Sequence, residues 1–558
     1  MSKNRFLVVI ETQRVKGYLF ASPILRETRG ASLLLDKLNR DETRRLLGRY
    51  LSHECIYLGG GSGRLLFDSE SAAESFAREV RQLYEDRTTS ARVSVEVLPR
   101  LENELMSDWI ARGVRESQKN KLARAEPHPI IAGRWIRPCS SCGKEPAGVV
   151  PPPDIQGSHC LCSSCLKKRQ EIFSFYQDVK ANWDLNVPLP LLSSMQAQWP
   201  NQILTTLSER IEAEFGSGTR IRLPQDFDQI GTESKPSNYV GFIYADGNRM
   251  GEVIKNIGKL FPADESCIEA YRAFSEIVDQ STRAATVEAV LKHVGAREAT
   301  TKAGEPGRYI PAEFVLAGGD DLILVVPGHT ALPVAATFLE QFQKRTRELQ
   351  QAWGEKLPSP FAPEGLTSSA GVVLAHSTYP ASQLMEIAGD LMKLAKRKSA
   401  DLARGDTAAA VQTGTLDFTV LHESGSEKIK ERRKSEYLTR NAGINAILTE
   451  RPYTASDMLM LLERIRALKE SNVPRNKIKA LYPVLFQGIL QAQFDGLRLK
   501  ERLKASGSLE PGSPLERLVS DLNRFPFREE TVDHWSTPLT ELIEIYDFVH
   551  PVTPGLQG

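Results

Sequence analysis

The feature that most constrains the fold of this chain is one order of strands and helices that occurs twice. Residues 5–10 (RFLVVI) are an apolar run of strand length; a helical stretch, a glycine-rich hairpin at 55–67, a second helix and an alternating strand at 92–98 follow. The same order returns between residues 239 and 375. A β-α-β-β-α-β order is typical of the ferredoxin-like arrangement. The sequence therefore predicts an α+β fold with two tandem ferredoxin-like domains.

The two glycine-rich hairpins are similar enough to be aligned without a gap. In this alignment Gly60 matches Gly318, Gly61 matches Gly319, Leu65 matches Ile323, and Ser62-Gly63 lies opposite Asp320-Asp321. The backbone signals are shared, whereas the carboxylates occur only in the second copy. We interpret the pattern as a duplicated domain whose first copy is catalytically degenerate; a chance recurrence of a common topology is the alternative.

Composition places these domains in a larger chain. The 558 residues exceed what one core supports, and 41% hydrophobic with 25% charged residues exclude a wholly disordered or collagen-like protein. No apolar run approaches the roughly 20 residues of a membrane helix, and the start MSKNRFLVVIETQR lacks a signal-peptide pattern, so a cytoplasmic location is expected. We predict five segments: a first domain over 1–125, a zinc-binding module over 126–182, a helical and loop connector over 183–238, a second domain over 239–425, and a helical C-terminal domain over 426–558.

Five of the seven cysteines fall within 27 positions. Cys139-x2-Cys142 and Cys162-x2-Cys165 are two CxxC pairs separated by 19 residues, and Cys160 lies beside the second pair. This spacing is typical of a zinc ion held by four thiolates. Because four protein ligands leave no position for water, the predicted zinc is structural, with His159 or Cys160 as an alternative ligand. Reduced free cysteines or a redox-active CxxC pair are the other interpretations.

The strongest chemical signal is the run Gly318-Gly319-Asp320-Asp321 in the second hairpin. Two glycines allow a tight turn and a close approach of a nucleotide to the backbone. Adjacent carboxylates repel each other unless a cation lies between them, and a third carboxylate, Asp246, ends the strand FIYADGN. The first strand of a ferredoxin-like sheet lies beside the hairpin, so we expect all three to converge. Such oxygen ligands suit Mg²⁺ or Mn²⁺, while a solvated acidic turn is the alternative.

This arrangement is typical of nucleotidyl transfer. Two divalent ions about 4 Å apart would activate a ribose hydroxyl and stabilise a leaving pyrophosphate. Basic residues should meet the triphosphate, and the helical segment EIAGDLMKLAKRKSA supplies Lys393, Lys396, Arg397 and Lys398. For each of them a solvated helix end is the alternative.

These motifs carry a family resemblance. The GGDD hairpin, YADGNRMGEVI and AGDLMKLAKRK resemble the palm domain shared by GGDEF-type cyclases. Two tandem palms, a CxxC insertion and a helical tail together resemble the large palm-polymerase subunit of type III CRISPR effector complexes. The segments GYLFASPILRETRGASLLLDKLN and GTLDFTVLHESGS are also similar to that family, so the resemblance covers nearly the whole chain.

The resemblance implies an RNA-activated synthase that converts ATP into cyclic oligoadenylate, a second messenger of antiviral defence. The implied metal ligands are Asp246, Asp320 and Asp321, and the implied nucleotide contacts are Gly247, Asn248, Gly318, Gly319 and the triphosphate-binding Lys396, with an acceptor ATP near Gly60 and Gly61. The implied partners are CRISPR effector subunits, guide RNA and target RNA, and no membrane. Since the formal net charge is only +1, any RNA contact would come from local patches.

Two features depart from the family pattern. Asn248 stands where many members have an acid, which leaves the metal geometry open. The chain begins at the first palm and contains no His-Asp dipeptide, so we predict no HD-type nuclease and no DNA cleavage. The alternative functions are a GGDEF-like cyclic dinucleotide synthase and a non-catalytic scaffold subunit of a CRISPR complex.

Overall fold

A computed structural model describes most of the chain. The described residues are 5–123, 136–148, 160–171, 202–224, 226–300, 306–353, 360–404, 413–421, 431, 433, 437–441, 443–470, 475–505, 507, 509 and 511–550. Within them the fold is α+β, with one six-stranded, two four-stranded and one three-stranded sheet. The helices in this part of the chain include none with the length and hydropathy to cross a membrane. Much of the predicted module and connector, including 149–159 and 172–201, lies outside the described residues.

The first unit is a sheet covered on both faces. Its elements are β1 (Phe6–Gln13), α1 (Val15–Leu19), α2 (Leu25–Lys37), a π-helical turn (Leu38–Glu42), α3 (Thr43–Leu47), β2 (His53–Gly59), β3 (Ser62–Phe67), α4 (Glu70–Thr88), β4 (Arg92–Pro99) and α5 (Met106–Ala123). The strand order β2-β3-β1-β4 is the ferredoxin-like one. Val8 and Ile10 of β1 face α2 and α4, whereas Leu7 and Val9 face α5. Burial of both faces explains why β1 is a continuous apolar run without alternation.

The second unit repeats this order and extends it. The elements from residue 202 onward are α6 (Gln202–Phe215), β5 (Arg220–Arg222), α7 (Phe227–Thr232), β6 (Tyr239–Gly247), α8 (Met250–Leu260), α9 (Asp264–His293), β7 (Arg297–Thr300), β8 (Pro306–Tyr309), β9 (Glu313–Gly318), β10 (Asp321–Pro327), a 3-10 turn (Gly328–Thr330), α10 (Ala331–Ala352), β11 (Ser368–His376), α11 (Ala381–Leu402) and β12 (Thr415–Val420). The order β9-β10-β6-β11 matches that of the first sheet, and β12 continues it beyond β11. The small sheet β5-β8-β7 was not predicted.

Each unit covers an edge strand of the other unit with a helix. Ser32 on α2 donates a hydrogen bond to the Val315 carbonyl of β9 (2.6 Å). In the opposite direction Arg272 on α9 donates to the Cys55 carbonyl of β2 (3.0 Å). An edge strand carries unpaired backbone groups, so this exchange satisfies some of them. The two units are thereby held side by side.

The C-terminal region combines helices with a small sheet. Its elements are β13 (Leu438–Asn441), β14 (Ile444–Ile447), β15 (Tyr453–Thr454), α12 (Ala455–Glu470), α13 (Arg475–Lys479), α14 (Leu481–Leu485), α15 (Ile489–Ala505), α16 (Pro514–Asp521), β16 (Arg528–Thr531), β17 (His534–Ser536), α17 (Leu539–Ile545) and a 3-10 turn (Tyr546–Phe548). The predicted helical C-terminal domain thus also contains the sheet β13-β14-β17-β16, which was not predicted. The strand β15 joins the six-stranded sheet beside β12 and ties this region to the second unit.

Candidate functional site

The acidic hairpin joins β9 and β10 by a two-residue turn. Gly318 and Asp321 are the last pair of the ladder, so Gly319 and Asp320 form the turn itself. Gly319 has φ 59°, a left-handed conformation that glycine adopts without a steric penalty. The turn therefore depends on this glycine and presents Asp320 and Asp321 at its end.

The third carboxylate reaches the same place from the neighbouring strand. Asp246 lies near the end of β6, one residue beyond the last ladder pair that joins β6 to β10. A Cβ atom on Gly247 would lie only 2.8 Å from Oδ2 of Asp320, so this carboxylate lies directly over the Gly247 backbone. The predicted convergence of Asp246, Asp320 and Asp321 around Gly247 thus agrees with the geometry.

The clustering changes the acidity of the hairpin carboxyls. Burial, and then repulsion from Asp246 and Asp321, raises the pKa of Asp320 to about 7. Burial, and then repulsion from Asp246, raises the pKa of Asp321 to about 6. Lys396 on α11 offsets part of this charge, since its Nζ donates to Asp246 Oδ2 and to the Gly247 carbonyl, both at 2.7 Å. Further positive charge among the carboxylates would relieve the remaining repulsion.

A second lysine reaches the cluster from the first unit. The Lys16 ammonium lies 4.0 Å from Asp321 Oδ1 and donates a hydrogen bond to the Tyr244 hydroxyl. That hydroxyl in turn donates to Asp321 Oδ1 (3.2 Å). Lys16 and Tyr244 were not predicted, because no local motif joins residues of two different units.

Asn248 has its polar groups engaged within the protein. It is only 5% exposed, its side-chain oxygen accepts from Ser369 (2.8 Å), and its side-chain nitrogen donates to Thr367 and Ser399 (3.1 and 3.3 Å). These contacts join the end of β6 to β11 and α11. The predicted nucleotide contact of Asn248 has no support in this geometry, which indicates a role in positioning the strand.

The two hairpins touch at their turns. A Cβ atom on Gly60, which has φ 58°, would lie 3.3 Å from the Gly319 nitrogen. The helix α9 holds the acidic turn from the other side: Asp279 accepts from the Gly319 N–H (3.1 Å), and Thr282 donates to the Gly319 carbonyl (2.7 Å). The first unit is therefore in direct contact with the turn that carries Asp320.

Replacing Gly60 with alanine should destabilise the contact between the two turns. The left-handed conformation costs an alanine about 1–2 kcal/mol, and the new methyl group would crowd Gly319. Gly218→Ala is the matched control, because Gly218 has φ 81° and open space around it. Thermal unfolding should show a larger loss of stability for Gly60→Ala than for the control. Equal losses would show that the contact between the turns contributes nothing to the stability of the protein.

The pairing of the strands corrects the predicted hairpin alignment by one residue. In the first hairpin Gly59 pairs with Ser62, so Gly60 and Gly61 are the turn residues. The structural equivalences are Gly59 with Gly318, Gly60 with Gly319, Gly61 with Asp320, and Ser62 with Asp321. The nearly identical φ angles of Gly60 and Gly319, 58° and 59°, agree with this register. The predicted matches of Gly60 with Gly318, Gly61 with Gly319 and Leu65 with Ile323 were therefore wrong.

The corrected register reveals a charge pair that the sequence analysis missed. Glu11 pairs with Ser62 and is thus the counterpart of Asp246. The buried Arg64 guanidinium forms an ion pair with Glu11 and donates to two nearby backbone carbonyls. In the second unit the position of Arg64 is taken by Ile323. The first hairpin therefore has one carboxylate with its own internal cation, and an arginine within the apolar run GRLLF was the available signal.

Four cysteines form a second candidate site. The Sγ atoms of Cys139, Cys142, Cys162 and Cys165 all lie within 4.8 Å of one another, close to the roughly 3.8 Å separation expected around tetrahedral zinc. Hydrogen bonding among the thiols lowers the pKa of Cys142 and raises the pKa of Cys162 and of Cys165. Cys160 does not belong to this cluster. The four-cysteine cluster could hold a metal ion.

The cysteine module packs against the first unit. Glu27 on α2 is fully buried and accepts from Ser141 (2.5 Å) and Arg169 (2.6 Å) of the module. A Cβ atom on Gly30 would lie 2.0 Å from the Lys168 carbonyl, so the backbones of α2 and the module meet there without a side chain between them. Loss of the module's structure should therefore destabilise α2.

Sequence comparison identifies the domain that carries the acidic hairpin. Residues 239–403 match the family model described as Cas10/Cmr2, second palm domain. This segment is therefore similar to a palm domain, and more particularly to a second palm of the Cas10/Cmr2 type, which confirms the resemblance at this level. No curated protein matches the chain in sequence at a significant level.

The chain also resembles Csm1 in solved Csm1-Csm4 assemblies. The Csm1-Csm4 cassette in complex with cA3 matches with a TM-score of 0.50 and 12% identity over 98% of this chain and 69% of that chain. The apo cassette matches with a TM-score of 0.41 and 14% identity over 71% and 53%, and the subcomplex in the type III-A CRISPR-Csm interference complex with 0.42 and 13% over 71% and 54%. This chain thus spans about half the length of the apo-cassette chain, and the likeness is one of fold.

Proposed function

We propose that this chain is the nucleotidyltransferase of a type III CRISPR effector complex and converts ATP into cyclic oligoadenylate. The observation that carries the proposal is the convergence of Asp246, Asp320 and Asp321 at the hairpin of a Cas10/Cmr2-type palm. Burial and the nearby Asp246 carboxylate raise the pKa values of Asp320 and Asp321, and such a cluster is costly to keep at one turn unless a cation uses it. A Csm1-Csm4 cassette, whose fold this chain shares, has been crystallised with cA3.

The donor set fits a hard divalent cation, because the three side chains supply only carboxylate oxygens. We propose Asp246, Asp320 and Asp321 as ligands of Mg²⁺ or Mn²⁺, with the Gly247 carbonyl as a further ligand. Such ions would activate the attacking ribose hydroxyl and stabilise the departing pyrophosphate. Gly319 adds no side chain at the turn, and its own N–H and carbonyl are held by Asp279 and Thr282.

We propose that the first unit is a degenerate palm that holds the acceptor ATP. Its hairpin touches the acidic turn through Gly60, so a nucleotide against Gly60 and Gly61 would lie beside the catalytic hairpin. Arg64 already supplies a positive charge to Glu11, which removes the need for a metal ion there. Two palms in one chain would bring two nucleotides together without a dimer.

The remaining proposals concern the cysteine cluster and the partners. We propose that Cys139, Cys142, Cys162 and Cys165 bind a structural zinc ion, since four thiolates leave no position for water. The named assemblies with a similar fold contain Csm4 beside Csm1, so a Csm4-like subunit is the first partner to test. We propose guide RNA and target RNA as further partners, because they belong to the same effector complex.

Mass spectrometry of the products tests the proposal. The chain, alone and with its effector subunits and target RNA, would be incubated with Mn²⁺ and each nucleoside triphosphate in turn. Cyclic oligoadenylate made by the wild type, and not by an Asp320→Asn/Asp321→Asn variant, would support the proposal. A cyclic dinucleotide made from GTP would favour the GGDEF-like alternative, and an assembled RNA complex without turnover of any nucleotide would favour a scaffold.

Replacing Lys396 with methionine should weaken nucleotide binding. A charge-assisted hydrogen bond to phosphate is worth about 1.5–3 kcal/mol, which corresponds to roughly a 10- to 100-fold loss of affinity. Lys393→Met is the control, because Lys393 lies on the same helix and pairs with Asp390 at the surface. The measurement is equilibrium binding of a fluorescent nonhydrolysable ATP analogue with Mn²⁺ present. Equal affinities of the two variants would contradict the role of Lys396.

A further inference from the structure

Lys16 is a charged residue of the first unit that reaches the carboxylates of the second palm. It follows β1 by way of Arg14, whose φ of 50° turns the chain into the short helix α1. Its ammonium lies 3.9 Å from the centre of the Tyr244 ring, bonds to the Tyr244 hydroxyl and lies 4.0 Å from Asp321. A lysine from one unit is thus held by two residues of the other.

The two lysines at the site divide the carboxylates between them. Lys396, from the second palm, pairs with Asp246, while Lys16, from the first unit, faces Asp321. Two ammonium groups therefore lie at a cluster of three carboxylates. Each lysine occupies the neighbourhood of a carboxylate that the proposed function assigns to a metal ion.

We propose that Lys16 is a nucleotide-binding residue that competes with the divalent cation for Asp321 and, once displaced, binds a phosphate group of the nucleotide between the two units. The inference rests on the proposed function, because it takes the hairpin carboxylates as the metal site. It deepens that function by giving the first unit a direct part in loading the second palm.

The exposure of Lys16 and the burial of Tyr244 support an exchange at Asp321 in which the lysine leaves. The Lys16 side chain is 42% exposed, on a flexible four-carbon stem, whereas Tyr244 is 2% exposed and fixed in the central strand β6. A divalent cation at Asp321 would lie close to the ammonium and repel it, so the lysine is the group that moves. A triphosphate beside the same carboxylates offers the displaced ammonium a new anionic partner.

Lys16→Met should therefore change two affinities in opposite directions. Mn²⁺ binding without nucleotide, followed by electron paramagnetic resonance, should tighten roughly threefold to tenfold, because a competing cation is gone. Binding of a nonhydrolysable ATP analogue with Mn²⁺ present should weaken roughly tenfold. Lys16→Arg should keep Mn²⁺ affinity near that of the wild type, and Lys119→Met, which removes an exposed lysine of α5, is the surface control.

The outcomes separate this inference from the proposed function. Unchanged or weaker Mn²⁺ binding by Lys16→Met, with an unchanged thermal unfolding temperature, would overturn the inference and leave the metal site in place. If the wild type binds Mn²⁺ but makes no product, the opposite shifts of the two affinities would still support the inference. A wild type that binds no Mn²⁺ would overturn both.

Discussion

Asp320→Asn is expected to abolish nucleotidyl transfer and, without metal, to make the protein more stable at pH 8. The loss of activity should be on the order of 10³-fold or more, because a charged ligand at the proposed metal site is removed. The gain in stability has a separate cause. Burial and the neighbouring carboxylates raise the pKa of Asp320 to about 7, so its ionised form is unfavourable in the folded protein.

The sign of the pH dependence follows from that raised pKa. Between about pH 4 and pH 7 the folded protein retains a proton that the unfolded chain releases, so stability falls as the pH rises through this window. Asparagine cannot ionise and removes this loss. In EDTA, the thermal unfolding temperature of Asp320→Asn should therefore be higher than that of the wild type by roughly a few °C at pH 8, and nearly equal to it at pH 4.

Addition of Mg²⁺ should reverse the ranking, because only the wild type retains all three carboxylates. Asp390→Asn is the matched control, since Asp390 is a surface carboxylate on α11 that pairs with Lys393. The control should keep activity and show none of these shifts. Full activity in Asp320→Asn, or a lower unfolding temperature than the wild type at pH 8 in EDTA, would contradict the assignment.

The second large effect is expected at the cysteine cluster. Cys162→Ser should lose the zinc ion and unfold the module, because structural zinc contributes about 10–16 kcal/mol of apparent binding energy to small domains. The loss of structure should extend to α2, because the buried Glu27 on this helix would lose its hydrogen-bond donors Ser141 and Arg169. Elemental analysis should find one zinc per wild-type chain and almost none in the variant, with faster hydrogen exchange in α2.

Cys160→Ser is the control for this experiment, because Cys160 lies in the same segment but outside the four-cysteine cluster. It should retain full zinc content and the protection of α2. Equal zinc content in Cys162→Ser and the wild type, or loss of zinc in Cys160→Ser alone, would show that a different ligand set holds the ion.

Strong local patterns made much of the fold predictable. The apolar run of β1 and the alternation in β4 identified strands, and the order of elements matched both sheets. The register of the first hairpin was not predictable, because three successive glycines, Gly59 to Gly61, permit more than one turn. Only the pairing of Gly59 with Ser62 decides it. The strands of the C-terminal sheet were missed because they have only three or four residues each.

The site was predictable only where its residues share a local motif. Asp320 and Asp321 are adjacent, and the end of β6 placed Asp246 beside them. Lys16 belongs to no such motif, and the only local sign of Arg64 was its place in the apolar run GRLLF, because their roles depend on contacts between units or across strands. Such contacts become visible only when the packing of the chain is known.

The most direct test of the central assignment is a crystal structure of the chain with Mn²⁺ and a nonhydrolysable ATP analogue, phased to locate manganese by anomalous scattering. We expect two manganese ions about 4 Å apart, bound by Asp246, Asp320 and Asp321, with the triphosphate between the ions and Lys396. Manganese and nucleotide bound away from the acidic hairpin, with these three carboxylates free of metal, would contradict it.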